Sequence, residues 1–296
     1  MTPNIPRVIL GTMTFGLDST SGQTSVVRVR GSANVGPFLD TFHAHGHIEI
    51  DTARIYCNGD TDCSLPIAYR SFEDCNQETI KAIDDLYREG LFERFGLSNY
   101  SAWNVAQIYE LCKQNKFVLP TVYQGMYNPI ARSVTTELLP CLKYYNIGFY
   151  AFNPISGGML SGKYKFAEDE VQEGGRYDPN TGFGKMFRDR YWTKTNFEAV
   201  QALTKVATEN NLSLLEATLR WMRHHSSLTA KDGIIMGAST VAQLEESLTA
   251  LDKGPLSEAM LKAFDDAWEH VKATTSWYFR GPDAPTFVHL LKNQGK

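Results

Sequence analysis

Cysteine is scarce in this chain. There are five in 296 residues, and no two of them stand in a Cys-x-x-Cys pair. An odd, scattered set of this kind argues against a disulfide framework and for a reducing compartment. Long apolar runs are lacking as well. No stretch approaches the roughly 18 residues needed to span a bilayer. The opening residues, Met1 to Gly16, carry no basic segment followed by a long apolar one. A soluble, cytoplasmic protein without a membrane partner is expected. Nor is there an excess of positive charge: 29 Lys and Arg against 33 Asp and Glu leave a net charge of −4. Nucleic acid is therefore not expected as a partner, because phosphate backbones are held by clustered cations. The familiar nucleotide and hydrolase signatures are also missing. The chain contains no Gly-x-Gly-x-x-Gly, no P-loop and no Gly-x-Ser-x-Gly.

What remains is an ordinary globular composition, 43% hydrophobic and 21% charged. The length suits one (β/α)8 barrel, which takes about 250 residues with wide scatter, so residues 1–296 are expected to form a single domain. Short apolar runs predict strands at Arg7 to Gly11, His47 to Asp51, Arg94 to Ser98, Thr121 to Gln124, Gly148 to Phe152 and Gly233 to Gly237. Runs of this length suit strands buried on both faces of a parallel sheet. Between them, apolar residues at helical spacing predict helices over Glu78–Leu91, Trp103–Lys113, Phe197–Asn210, Leu215–His224 and Val241–Leu251, with a last one at Ser257–Ala273. Alternating strand and helix is the pattern of an α/β fold. Leu17 to Gly36 and Glu168 to Arg190 read as long loops.

Several predicted strands end in a polar residue: Asp51, Ser98-Asn99, Gln124 and Asn153. In a barrel the C-terminal strand ends face the active site. Four constellations follow from this. The first is Asp51 with Tyr56, five residues on. A tyrosine can act as general acid toward a carbonyl oxygen, and a nearby cation lowers its ordinary value near 10. The plain alternative is a buried tyrosine and a helix-capping aspartate. The second is Ser98, Asn99 and Gln124, whose hydroxyl and amides suit a carboxamide; strand-end turn chemistry explains them equally. The third is Asn153-Pro154-Ile155-Ser156-Gly157-Gly158-Met159-Leu160-Ser161-Gly162-Lys163, directly after Phe152. Its glycines admit backbone N–H groups close to a phosphate, and its lysine can pair with one; a flexible loop is the alternative. Phe152 itself suits either stacking on a planar ring or core packing. The fourth is Ser239-Thr240 ahead of Gln243, Glu246 and Ser247, a helix start that attracts anions or is simply capped. His43, His45 and His47 have no matching cysteine or carboxylate cluster at ligand spacing, so no metal is expected.

Taken in order, these segments resemble the aldo-keto reductases, and in particular the aflatoxin-aldehyde-reductase-like branch with its fungal members. The residues that carry the resemblance are Leu10 to Gly16, Asp51 to Tyr56, Phe95 to Tyr100, Gln124 to Asn128, Asn153 to Lys163, Arg188 to Trp192, Ile234 to Ser239 and Tyr278-Phe279-Arg280. The resemblance implies a (β/α)8 barrel and NADPH-dependent reduction of an aldehyde or ketone to an alcohol. Its fungal branch implies a setting in secondary metabolism. It implies Tyr56 as proton donor with Asp51 as its partner carboxylate. It also implies that Ser98, Asn99 and Gln124 hold the nicotinamide carboxamide, with Phe152 stacked on the ring. The Asn153 to Lys163 loop then takes the pyrophosphate, and Ser239, Gln243, Glu246 and Ser247 the 2′-phosphate end. Arg176 resembles a binder of substrate carboxylate. The oligomeric state is left open, with a homodimer as one alternative.

The family pattern is broken in one place. It places a lysine on the third barrel strand and a histidine on the fourth. After Tyr56 the first lysine is Lys81, inside a predicted helix, and no histidine lies between His47 and His224. Residues 57–97 are roughly fifty too few for the two βα units normally found there. The barrel is thus expected to be incomplete around its third and fourth strands, with Ala68-Tyr69-Arg70 a remnant just after the fourth and the histidine position near Pro66. Three explanations compete: a shortened form of a normal reductase, a divergent enzyme using other residues, or a catalytically impaired relative acting as a nucleotide- or protein-binding module.

Overall fold

The computed structural model describes residues 4–16, 27–53, 77–166, 173 and 175–279, together with the backbone of 67–70. The strands are β1 (Arg7–Gly11), β2 (Phe15–Gly16), β3 (Val29–Arg30), β4 (Glu49–Asp51), β5 (Ile67–Arg70), β6 (Arg94–Ser98), β7 (Pro120–Met126), β8 (Gly148–Phe152) and β9 (Gly233–Met236). The helices are α1 (Ser32–Ala44), α2 (Gln77–Arg88), α3 (Ala102–Asn115), α4 (Leu138–Tyr144), α5 (Gly182–Tyr191), α6 (Lys194–Glu209), α7 (Leu214–His224), α8 (Val241–Asp252) and α9 (Glu258–Val271).

Seven strands form one parallel sheet in the order β4-β1-β9-β8-β7-β6-β5, while β2 and β3 pair separately. The sheet is strongly curled. Laid flat at about 4.8 Å per strand, β4 and β7 would stand roughly 19 Å apart. Instead Asp51 of β4 accepts a hydrogen bond from the Gln124 amide of β7 at 2.6 Å. At the opposite strand ends, the Tyr150 hydroxyl of β8 donates to Glu49 of β4 at 2.6 Å and accepts from Arg7 at 2.8 Å and Arg94 at 3.3 Å. A curled parallel sheet wrapped by helices is an incomplete (β/α)8 barrel. Among the described residues its order ends at β4 on one side and β5 on the other.

Alternation along the strands sorts the core into two parts. Ile9, Val122, Tyr150 and Ile235 pack inside the curl. Val8, Leu10, Phe95, Leu97, Tyr123, Phe149, Ala151, Ile234 and Met236 face outward against the helices. Six helices begin at a Ser or Thr whose side chain accepts the backbone N–H three residues on: Ser101, Thr181, Thr193, Ser213, Thr240 and Ser257. Each such cap stabilises its helix by about 1 kcal/mol.

The predicted strands and helices are present within a few residues. Three segments differ. Ala68-Tyr69-Arg70, expected just after a strand, is itself part of β5, paired in parallel with β6 through Ala68 opposite Phe95. The Leu17 to Gly36 loop is shorter than expected. It contains β3, and α1 begins at Ser32 despite Gly36 and Pro37, because Phe38 and Phe42 bury one face. The Glu168 to Arg190 loop ends in α5. Its first turn holds Gly184, where a Cβ would lie 1.8 Å from the Asp178 carbonyl oxygen. Only glycine lets the preceding turn press on the helix there, and that residue hid the helix in the sequence.

Two of these contacts make testable statements. Replacing Tyr150→Phe removes the hydroxyl shared by Glu49, Arg7 and Arg94. It should cost about 1–3 kcal/mol, read from the urea midpoint, because charged partners lose a bond in a half-buried place. Asp84 of α2 is buried, yet accepts from Arg88 Nε at 2.5 Å and from the Val118 amide at 2.7 Å. Burial alone would raise its pKa. The Arg88 and Val118 hydrogen bonds outweigh that and hold it below the ordinary carboxylate value. Its contribution is therefore complete above about pH 4 and is lost as the pH falls through the lower folded value. Asp84→Asn should lower stability at neutral pH and flatten the acid side of the stability profile, in urea titrations at about pH 7 and about pH 3.

Candidate functional site at the strand ends

The C-terminal ends of β1, β4, β6, β7, β8 and β9 open on one mouth. Thr12 closes the β1 side: both its amide and its hydroxyl donate to the Asp51 carbonyl at 2.9 Å. The Asp51 carboxylate is thereby aimed inward, where Gln124 reaches it. Ser98 lies opposite Gln124 in the β6–β7 register, and its hydroxyl accepts the Asn99 side-chain amide at 2.8 Å. Asn99 has φ 62°, a left-handed conformation that asparagine tolerates better than most residues. Asp51, Ser98, Asn99 and Gln124, singled out in the sequence, are thus brought together. Tyr56 lies outside the described residues.

Phe152 ends β8, half-buried beside the inner cluster. The chain then turns sharply. Asn153, Ser156, Gly157 and Gly158 all have positive φ. For the serine this costs energy, of the kind found at functional sites. The Ser156 hydroxyl is buried with no hydrogen-bond partner among the described residues, while its carbonyl accepts from the buried Tyr177 hydroxyl. Ser161 Oγ donates to the Gly158 carbonyl at 2.7 Å. Lys163 is exposed, with its ammonium 4.9 Å from the centre of the Tyr164 ring. A polar loop with a hydroxyl left unpaired and glycine backbone at its surface suits a ligand rich in acceptors, such as a pyrophosphate.

The loop is held from behind by residues to which sequence reasoning gave no role. Asn128 is fully buried. Its amide donates to the Asn153 carbonyl at 3.0 Å, and its own oxygen accepts the Ile130 amide at 3.1 Å. The signal was there, a polar side chain inside an apolar Met126-to-Ile130 run. Tyr164, Tyr177 and Trp192 form a mutual aromatic cluster with centroids 5.0 to 5.6 Å apart. Each such pair is worth about 0.5–1.5 kcal/mol beyond its burial. Arg188 lies over Trp192 at 4.4 Å and donates to the Tyr177 carbonyl at 2.8 Å.

On the β9 side, Thr240 caps α8, and the Ser239 amide donates to Gln243 Oε1 at 3.1 Å. Ser239, Gln243 and Glu246 are exposed. Ser247 is different: it is buried, and its hydroxyl donates back to the Gln243 carbonyl at 2.8 Å. Arg176 reaches the mouth, with a guanidinium nitrogen 3.6 Å from the Met13 sulfur and its carbon 5.3 Å from the Phe187 ring centre. His45, from the His-Ala-His-Gly-His run, joins α1 to α8 instead, by bonds to Asp252 at 2.6 Å and Glu245 at 3.2 Å. Among the described residues no group of three His, Cys, Asp or Glu side chains is placed to hold a metal.

Residues 60–269 match the model of the aldo/keto reductase family. The chain belongs to that family. Within it the chain falls in the aflatoxin-aldehyde-reductase-like branch. It is 36% identical to an aflatoxin B1 aldehyde reductase member 2 of Mus musculus, covering 94% of this chain and 89% of the mouse protein. It is 37% identical to an aldo-keto reductase of Pseudocercospora fijiensis, covering 81% and 99%, and 33% identical to the aldo-keto reductase pigE of Monascus ruber, covering 92% and 96%. The mouse match runs over 339 aligned positions, which exceeds the 296 residues of this chain by 43. At least that many aligned positions have no residue in this aldo/keto reductase. Membership supports an oxidoreductase, and aldo/keto reductases generally work with NAD(P)H. The residues present fit such a dinucleotide: the Ser156 loop after β8 and the α8 start after β9 follow neighbouring strands, next to the β6–β7 pair that carries Ser98, Asn99 and Gln124. Asp51 and Tyr56 precede the matched span.

The tightest point of the loop is Gly157, at φ 66°, where a Cβ would lie 2.6 Å from the Phe187 ring. Gly157→Ala should weaken dinucleotide binding at least about tenfold, since backbone strain and overpacking each cost roughly 1–3 kcal/mol. A fluorescence titration beside a thermal-unfolding control checks this. Unchanged affinity in a folded variant would show that the loop does not hold the ligand.

Proposed function

We propose that residues 1–296 act as one NADPH-binding barrel in the cytoplasm that reduces an aldehyde or ketone to an alcohol. The observation that carries this reading is the convergence of Asp51, Ser98, Asn99 and Gln124 at one mouth, with the Asn153 to Lys163 loop beside them. In this reading Ser98, Asn99 and Gln124 hold the carboxamide and Phe152 backs the nicotinamide. The Asn153 to Lys163 loop takes the pyrophosphate, and Ser239, Gln243 and Glu246 meet the 2′-phosphate. Ser247 supports that end through the Gln243 carbonyl. NADPH supplies the hydride. Tyr56 donates the proton to the carbonyl oxygen, and Arg176 holds a carboxylate on the substrate. An aldehyde is the first substrate to try, since the mouse relative is named for one.

A second reading has its own support. The chain lacks a lysine between Tyr56 and Lys81 and a histidine between His47 and His224. Without a cation beside it, a tyrosine keeps its proton too tightly to transfer it well. Losing the tuning of a general acid forfeits much of a 10²- to 10⁴-fold effect. A nucleotide- or protein-binding relative with little turnover fits those absences.

NADPH titration by fluorescence, followed by oxidation with a panel of aldehydes, separates the readings. The expected outcome is binding with turnover that falls at least about a hundredfold in Tyr56→Phe. Binding without turnover supports the second reading. A folded chain that binds no NADPH overturns both as far as the nucleotide is concerned.

A further inference from the structure

The Asp51–Gln124 hydrogen bond has a direction. An ionised carboxylate only accepts, so the half of the Gln124 amide that faces it at 2.6 Å must be the NH2. The amide is planar, so fixing its nitrogen also fixes its oxygen. Gln124 Oε1 receives no hydrogen bond among the described residues and is not among the buried polar atoms left unpaired. The glutamine stands in register with Ser98 on one side and Tyr150 on the other, on the inner face of the sheet. Asp51 is itself fixed, because Thr12 holds its backbone carbonyl with two bonds of 2.9 Å.

We propose that Asp51 is a positioning residue that sets the flip of the Gln124 amide, so that the barrel mouth presents an acceptor and selects a carboxamide over a carboxylate on the pyridine ring of the dinucleotide. This rests on the reading of Gln124 as a holder of the nicotinamide carboxamide. It gives Asp51 a role separate from proton transfer at Tyr56. A carboxamide offers an N–H to Gln124 Oε1. The carboxylate of the nicotinic acid dinucleotide offers only acceptors and is left facing another acceptor. If residue 51 can also donate, Gln124 is free to turn over, and the discrimination fades.

The test is equilibrium binding of NADP+ and of its nicotinic acid analogue to the purified full chain, with circular dichroism to confirm folding. The wild type is expected to prefer NADP+. In Asp51→Asn the side chain can donate or accept, and the affinity ratio should fall about 3- to 10-fold, the value of one neutral hydrogen bond. Removing the Asp51 charge alone would also favour the carboxylate, so Gln124→Met supplies the second arm. It keeps Asp51 and removes the amide, and the ratio should fall there as well. The double variant should lose less than the sum of the two single losses, because without the amide only the charge effect of Asp51 is left to remove. A ratio that drops in Asp51→Asn but is unchanged in Gln124→Met would show a bare charge effect and overturn the proposal, as would two independent, additive losses. A wild type that binds neither dinucleotide overturns the functional reading and this inference with it. Binding with no preference overturns only the inference.

Discussion

The fold depends on keeping a parallel sheet curled although, among the described residues, its two ends do not meet. In a closed barrel the hydrogen-bond ladder itself enforces the curvature. Here β4 and β5 end the strand order, and polar ties across the interior share that work. At the floor, Tyr150 gathers Glu49, Arg7 and Arg94 from three other strands. At the mouth, Gln124 reaches Asp51 over three intervening strands. Between the two, among the described residues, lies a small apolar layer of Ile9, Val122, Tyr150 and Ile235. The larger core sits outside, between sheet and helices. It stabilises the elements without dictating how far the sheet bends.

The same arrangement leaves the proposed ligand side on the continuous part of the sheet. The loop after β8, the capped start of α8 and the β6–β7 pair all lie on the continuous part of the sheet. Each is braced locally, the loop by Asn128 and the Tyr164–Tyr177–Trp192 cluster, and the helix by Thr240. What the sequence lacks is a lysine between Tyr56 and Lys81 and a histidine between His47 and His224.

Much of this was legible in the sequence. The strands with polar terminal residues were, because apolar runs bounded by turn residues have few other uses in a parallel sheet. Helices with a Ser or Thr cap and apolar spacing, such as α7 and α9, were as well. The failures share a cause. Both α1 and α5 carry glycine or proline that local propensity counts against helix, and tertiary contacts decide otherwise: Phe38 and Phe42 in α1, the Asp178 carbonyl against Gly184 in α5. The four-residue β5 was recognised only as a remnant, since its place is set by pairing with β6 rather than by its own pattern. At the site, residue types pointed to Ser98, Asn99, Gln124 and the glycine loop. The bracing by Tyr177 was not legible, because it comes from a segment distant in sequence, whereas Asn128 left a trace as a polar residue in an apolar run.

The two ties across the interior differ in kind. At the floor the Tyr150 hydroxyl makes the tie to the charged Glu49, Arg7 and Arg94, and beside it an Arg7–Glu49 salt bridge at 3.0 Å joins the neighbouring strands β1 and β4, with side chains 45% and 28% exposed. The mouth tie joins a carboxylate to a neutral amide. Dissolved ions screen exposed charge pairs within a Debye length of about 8 Å at physiological ionic strength, but act far less on a hydrogen bond to an uncharged donor. Ionic strength therefore addresses the two ends of the barrel separately. Concentrated salt is expected to weaken the exposed Arg7–Glu49 pair at the floor more than the Asp51–Gln124 bond at the mouth.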